Sequence, residues 1–421
     1  MRAATVRTAC SAGSGLLRNR DYALLLLSQA GSFVGDRVHF VALSLWLYAM
    51  TGSALTISLA IASLTAGQIA FGLLGGALVD RWPKKTVMIT TDVLRAGLVA
   101  ALPRLGHVGL WAVYADLVLV AAASSVFRPA LLAVVPAVAG RERLLGANSL
   151  LAAVETGSEV VGPLVAGVVV AAWGPEAGLY FDAATFLWSG LVLVGLRTGA
   201  ERTGSGTGWG VLKEIREGIR LVLGTPVQRD LFGVVYSVYV LAGLTSLQTP
   251  LARGTVGLDD LRFGMFQSVW GVGFVFASAV MPAVGRRIAT GRLIHLGAAA
   301  YAVSAALMGL SRTFPALLAS AFAVGAANVT VYINTATALM SVTPAEYMGR
   351  VFAFRQVALA AVRGTSLVAF GALGDAVGPG PAILLMSALS AVLVARWISR
   401  TPRLAALKAV GREPTEQGEV G

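Results

Sequence analysis

The chain has 421 residues, 56% of them hydrophobic and 13% charged, against roughly 25% charged in an ordinary soluble domain, so its charges are too few to coat a soluble protein of this length. Its apolar residues gather into runs of about 20, the length that crosses a hydrocarbon core of about 30 Å, and the bilayer is therefore the expected solvent. A single cysteine, Cys10, excludes an intrachain disulfide, and His39, His107 and His295 are too scattered for a metal cluster, so neither a metal nor another cofactor is expected.

From the N-terminus, 1–21 carries arginines without the apolar core of a signal peptide and reads as a cytoplasmic tail. Apolar runs then predict helices at 22–49, 55–79, 86–103, 110–128, 146–172 and 177–196, an N-terminal six-helix bundle over 22–197. The one long polar stretch, 198–230, follows and reads as a cytoplasmic linker. Within it Val211, Leu212, Ile215, Ile219 and Val222 share one helical face, while Lys213, Glu214, Arg216, Glu217 and Arg220 take the other, a pattern suited to the membrane surface. Helices at 231–250, 263–282, 293–311, 314–343, 351–374 and 380–398 make a C-terminal six-helix bundle over 231–399, and 400–421 is a second cytoplasmic tail. The fold class is an all-α membrane protein with twelve transmembrane helices in two six-helix repeats.

A net charge of +12 would suit nucleic acid as a partner, but cation placement accounts for it otherwise. With the N-terminus inside, 23 of the 33 lysines and arginines fall in inner loops and tails, and only Arg104, Arg253, Arg262 and Arg312 fall in outer loops. The positive-inside bias places both termini of this multi-pass chain in the cytoplasm of a cell membrane. Two internal matches support the duplication. Pro136 to Arg141 recurs as Pro344 to Arg350 at a shift of 208, and Gly167 with Gly174-Pro175 recurs as Gly371 with Gly378-Pro379 at a shift of 204. Parallel six-helix repeats are how transporters build a central site between two rocking halves.

After the second helix stands Gly76-Ala77-Leu78-Val79-Asp80-Arg81-Trp82-Pro83-Lys84-Lys85. It resembles the signature loop of the major facilitator superfamily, with Pro83 in place of a glycine. In this expected gating loop Gly76 would permit close helix approach, Asp80 would sit against the positive N-terminal end of a neighbouring helix, and Arg81, Lys84 and Lys85 would face the inner leaflet. The fifth helix carries Gly162-Pro163-Leu164-Val165-Ala166-Gly167, which resembles the superfamily's export motif; proline and small residues there also serve bending and tight packing. Phe127-Arg128-Pro129-Ala130, Ala147-Asn148-Ser149 and Gly349-Arg350-Val351-Phe352 are similar to the drug-efflux branch, in the order found in macrolide-efflux and enterobactin-exporter-like members. The fourth-helix arginine motif of that branch is absent, since 114–125 holds Asp116 and no arginine.

Ionisable groups at membrane depth cost about 2.5–3.5 kcal/mol each on insertion scales and tend to face a cavity or a partner. Asp36, near mid-depth of the first helix, is the first candidate proton carrier, because a low-dielectric cavity disfavours a carboxylate's charged form; a fixed ion pair is its alternative. Arg37 points elsewhere around the same helix. Asp92 and Arg95, spaced i, i+3, suit a local pair. Glu155 and Glu159 share a face and cannot both ionise cheaply when close, so they too are proton-coupling candidates. Arg355 and Arg363 are expected in internal ion pairs, and the 204-residue shift sets Glu159 opposite Arg363 in the two halves. Arg128 and Arg396 are expected near inner helix ends, where they can snorkel. Gln248, Gln267, Trp270, Asn328, Tyr332 and Asn334 are candidate cavity contacts.

No phosphate-binding loop and no catalytic constellation is present, so an enzyme is not expected. The resemblance implies a monomeric secondary exporter, coupled to protons, that moves an amphipathic small molecule such as an antibiotic or siderophore. An uptake carrier of the same fold and a non-transporting membrane receptor are the alternatives.

Overall fold

The structure, a computed structural model, describes residues 16–197, 220, 222 and 224–401, and of 73–81 only the backbone. Residues 1–15 and 402–421 of the expected tails and nearly all of the amphipathic segment over 211–222 lie outside the described residues, whereas the first helix begins at Arg20, inside the expected N-terminal tail. Twelve long helices make up what is described: α1 Arg20–Thr51, α2 Ala54–Arg81, α3 Lys84–Val108, α4 Leu110–Ala139, α5 Leu144–Trp173, α6 Pro175–Val194, α7 Pro226–Thr255, α8 Asp260–Val284, α9 Thr290–Leu310, α10 Phe314–Val342, α11 Met348–Val377 and α12 Pro379–Arg400. Eleven of them are long and apolar enough to cross a membrane. The remaining one, α1, is diluted by Ser28 and by Gln29, Ser32, Asp36, Arg37 and His39, and the last five line the interior described below.

Local chemistry sets the helix limits. Asn19 caps α1 by accepting from the amides of Asp21 and Tyr22, Ser53 caps α2, and Asp259 caps α8. Glycines at positive φ, Gly52, Gly140, Gly174 and Gly378, end α1, α4, α5 and α11. Helix α4 runs well past the expected limit at 128, with Pro129 and Pro136 inside it; prolines are tolerated in membrane helices because neighbours re-satisfy the freed carbonyls. Helix α7 changes winding along its length, from α at Pro226–Tyr239 through 3-10 at Val240–Gly243 to a π turn at Pro250–Thr255.

The duplication is in register at a single shift. Helix α5 spans Leu144–Trp173 and α11 Met348–Val377, each preceded by a 3-10 turn, at Arg141–Arg143 and Ala345–Tyr347, and each ended by a glycine at φ 83 or 88 before a proline. All of these stand 204 positions apart. The shift of 208 is therefore a chance alignment: Pro136 lies inside α4, whereas Pro344 precedes a turn.

Short turns make consecutive helices antiparallel, so the bundle has two ends. At the end marked by Gly52, Gly174 and Gly378 the halves touch through α5 against α8 and α2 against α11. Backbone meets backbone along α5 and α8: a Cβ at Gly167 would fall 3.1 Å from Gly264 Cα, one at Gly264 2.5 Å from the Pro163 carbonyl oxygen, and one at Gly271 against the Glu159 carbonyl. The Gly162-Pro163-Gly167 segment thus lies along a seam between the halves. Asp375 of α11 latches the same end, accepting from the Ser53 hydroxyl at 2.5 Å and from the Ala54 and Leu55 amides at 2.6 and 3.3 Å, where the positive N-terminus of α2 favours a carboxylate.

The seam makes a prediction. Gly264→Leu forces α8 off α5 and is expected to lower stability by about 1–3 kcal/mol, the usual cost of overpacking. Unfolding in mixed micelles reads this, and an unchanged midpoint would mean that the two backbones do not touch there.

Candidate functional site

Away from the closed end, the halves enclose a set of cavities that share walls. The largest, about 700 Å³, is bounded by α1, α2, α4, α5 and α6, with Arg95 of α3 and Gln356 of α11. Gln68, Gly72 and Gln356 connect it to a second space of about 530 Å³. Arg37 and Phe40 connect it to a third of about 240 Å³, and Arg363 lines that one, the second, and a fourth of about 230 Å³. Together they form one vestibule between the repeats, reaching Gln29 of α1 and Arg128 of α4 toward the opposite end.

Carboxylates hold three arginines inside the N-terminal half, Arg37, Arg95 and Arg128. Arg37 reaches from α1 to Glu159 of α5 at 2.6 Å, beside the seam and on the vestibule wall. Gly162 makes room for this, since a Cβ there would collide with Arg37 Cβ. Arg128 of α4 forks onto Glu155 of α5 at 2.8 and 3.4 Å. Arg128 is thus a mid-helix ion-pair partner rather than a snorkelling group, because α4 continues to Ala139. Glu155 and Glu159 do not share one site; each has its own arginine on a different helix. Asp92 and Arg95 pair on α3, fully buried, with the guanidinium 4.4 and 4.1 Å from the ring centres of Phe127 and Phe186.

Asp36 opens onto the large cavity and makes no hydrogen bond among the described residues, although helices surround it. The charged groups that act on it are Asp182, Arg95, Arg37 and His39. Behind it lies a cluster that sequence reasoning missed. His39 Nδ1 stands 3.0 Å from an Asp182 carboxylate oxygen of α6, an ion-pair distance, with the ring turned so that neither nitrogen completes a hydrogen bond. Asp116 of α4 is buried nearby with one oxygen unpartnered. Gly35 admits this packing, since a Cβ there would meet the Asp182 carboxylate at 2.6 Å. The available signal was an acid in each of two apolar runs, 110–128 and 177–196.

The C-terminal half departs from expectation. Neither Arg355 nor Arg363 has a carboxylate at ion-pair distance among the described residues, so the internal pairs expected for them, including Glu159 with Arg363, are not formed; Arg37 already occupies Glu159. Arg355 is buried against the rings of Tyr332 and Phe352 at 5.6 and 5.8 Å. Gln248, Gln267 and Trp270 line the vestibule with Arg363, and so do Asn328 and Tyr332. Asn334 does not: its amide donates to the Thr330 carbonyl one turn back at 2.8 Å and faces Met281 of α8, so helix packing uses up its polarity. Lys85 also departs, donating to the Val194 and Leu196 carbonyls at 2.7 and 2.8 Å; it caps the end of α6 instead of facing lipid. Lys84 is buried at the start of α3. Gly76, Asp80 and Arg81 fall on the last turns of α2, and their side chains lie outside the described residues.

A family model described as Major Facilitator Superfamily matches residues 25–367. A Bacillus subtilis (strain 168) protein described as "Uncharacterized MFS-type transporter YfiS" is 28% identical over 89% of this chain and 92% of its own. "Multidrug efflux pump Tap" of Mycolicibacterium fortuitum is 32% identical over 49% of this chain and 53% of its own, and "Macrolide efflux protein A" of Streptococcus pyogenes is 27% identical over 37% and 39%. The solved structure of the nucleoside transporter NupG (D323A mutant) superposes with a TM-score of 0.75 at 13% identity, over 90% of this chain and 99% of that one, a likeness of fold.

The buried pair on α3 is testable by itself. Asp92→Asn strands the Arg95 cation and is expected to cost about 3–5 kcal/mol of stability, whereas the double change to Asp92→Leu and Arg95→Met recovers most of it. Unfolding midpoints of the two variants in micelles check this, and equal losses would contradict the pairing.

Proposed function

The chain belongs to the major facilitator superfamily, and we propose that it is a proton-coupled secondary exporter of an amphipathic small molecule, working as a monomer by alternating access. The family consists of transporters rather than enzymes, and membership implies a small-molecule substrate and a multi-pass membrane location. The observation that carries the coupled reading is the placement of Glu159. Its side chain is paired to Arg37, its backbone touches Gly271 across the seam, and it lines the vestibule that also contains Arg363. A change of charge at this residue therefore acts on the contact that must part when the halves rock.

The positive-inside bias supports an orientation with the open end toward the cytoplasm, which suits loading from inside. Asp36 suits proton carriage because it faces the cavity without a hydrogen bond among the described residues, with Asp182, Arg95, Arg37 and His39 around it. Gaining a proton there removes one anion from a field shared with Asp182, Arg95, Arg37 and His39. Export rather than uptake is supported by the Gly162-Pro163-Gly167 seam and by the efflux names of Tap and macrolide efflux protein A. The nucleoside transporter NupG contributes the fold and no substrate.

Inside-out vesicles test this reading. A proton gradient is expected to drive accumulation of one or more members of a panel of antibiotics and siderophores, and Asp36→Asn is expected to abolish the gradient dependence while leaving the protein in the membrane. Transport by the variant that still follows the gradient would remove Asp36 from the mechanism. Substrate accumulation by whole cells would make the protein an importer, and binding without flux would make it a receptor.

A further inference from the structure

The arginines at membrane depth are treated differently in the two halves, although Arg253 and Arg262 at the end of the C-terminal half also meet carboxylates. In the N-terminal half Arg37, Arg95 and Arg128 each hold a carboxylate. In the C-terminal half Arg355 and Arg363, two turns apart on α11, hold none among the described residues, and two nitrogens of Arg355 are buried with no hydrogen-bond partner. Moving Glu159 from Arg37 to Arg363 would leave Arg355 as it is. The wall of the vestibule on this side therefore carries a surplus of positive charge at membrane depth, where an unpaired charge is costly and calls for an anion.

What surrounds the surplus is aromatic. Arg363 lies where three of the four spaces meet, with Tyr239, Trp270, Tyr301 and Tyr332 on the walls of the space of about 230 Å³ and no carboxylate among its lining residues. Tyr332 stands between Arg355 and that space, half-exposed to it, and its ring lies against the buried guanidinium. A guanidinium presents a planar fork to a carboxylate, sulfonate or phosphate, and flat aromatic walls favour a flat apolar body.

We propose that Arg363 is the recognition point for an anionic group on the transported molecule, so that the substrate is an amphipathic organic anion with a ring body, its acid group on Arg363 and its ring among Trp270, Tyr301 and Tyr332. This rests on the reading of the vestibule as a transport site and narrows the substrate class within it. Arg355 is a positioning residue: it adds positive potential from behind Tyr332 without reaching the ligand.

The test is equilibrium binding of radiolabelled 2-naphthoate and 2-naphthylmethylammonium, equal in ring size and opposite in charge, to the purified full chain in phosphatidylcholine nanodiscs. The wild type is expected to bind the anion at least about tenfold more tightly than the cation, the margin of a charge-assisted hydrogen bond. Arg363→Gln is expected to erase that preference and Arg363→Lys to keep most of it. A preference for the cation, equal binding, no binding of either, or a preference that survives Arg363→Gln overturns the proposal. So does loss of naphthoate binding when the nanodiscs contain phosphatidylglycerol, because the site would then belong to an anionic lipid headgroup. Binding does not depend on direction, so an anion preference without flux would count against the export reading and leave the subsite standing, whereas gradient-driven export with no Arg363-dependent preference would do the reverse.

Discussion

Hydrocarbon solvates neither an ion nor a free backbone group, and the arrangement of α1, α3, α4, α5 and α6 follows from how their ions are satisfied. Arg37 ties α1 to α5, Arg128 ties α4 to α5, and the His39–Asp182 contact ties α1 to α6. Arg95 needs no second helix for its charge, since Asp92 is one turn away, but Phe127 of α4 and Phe186 of α6 cover its two faces. Each contact would be a minor gain in water. Inside a bilayer the alternative is an unpaired ion, so the same contacts fix which helix neighbours which.

The contacts between the halves have a different character. Along α5 and α8 they are glycine against backbone, and at the end of α2 they are one carboxylate on a hydroxyl and two amides. Surfaces of this kind part without stranding a charge in hydrocarbon, because Asp375 and the α2 terminus both sit at the helix ends, where water reaches them. The strong ion pairs lie within one half, where rocking does not disturb them. Arg37–Glu159 is the exception in position, internal to the N-terminal half yet placed at the seam.

Much of this was legible in the sequence. Length and apolar runs give twelve helices, and the Gly174-Pro175 and Gly378-Pro379 pairs give the repeat its register. The i, i+3 spacing of Asp92 and Arg95 gives their pair, because a helix fixes that distance by itself. Contacts between helices were not legible. Nothing in the spacing says that Glu159 meets Arg37 rather than Arg363, since rotation about two helix axes decides it. Asn334 reads like a cavity residue until its carbonyl partner one turn back is seen. The expected limit of α4 failed for a related reason: Arg128-Pro129 looks like a helix end in water, whereas α4 continues through both prolines and Arg128 finds Glu155 on the next helix.

A ligand moves a two-state carrier only through a difference in its hold on the two states, and α11 offers a lever for such a difference. Arg355, Arg363 and Asp375 stand on this one helix, Arg363 lining the vestibule, Arg355 buried behind Tyr332, and Asp375 latching the closed end. The N-terminal half, with Arg37, Arg95 and Arg128 paired internally, has reason to move as a body. The C-terminal half has its surplus charge on the helix that also carries the latch. An anion received at Arg363 therefore acts on the helix whose far end holds α2, about 18 Å away at the usual rise per residue, and a stiff helix transmits a shift over that distance without any chain of side-chain rearrangements.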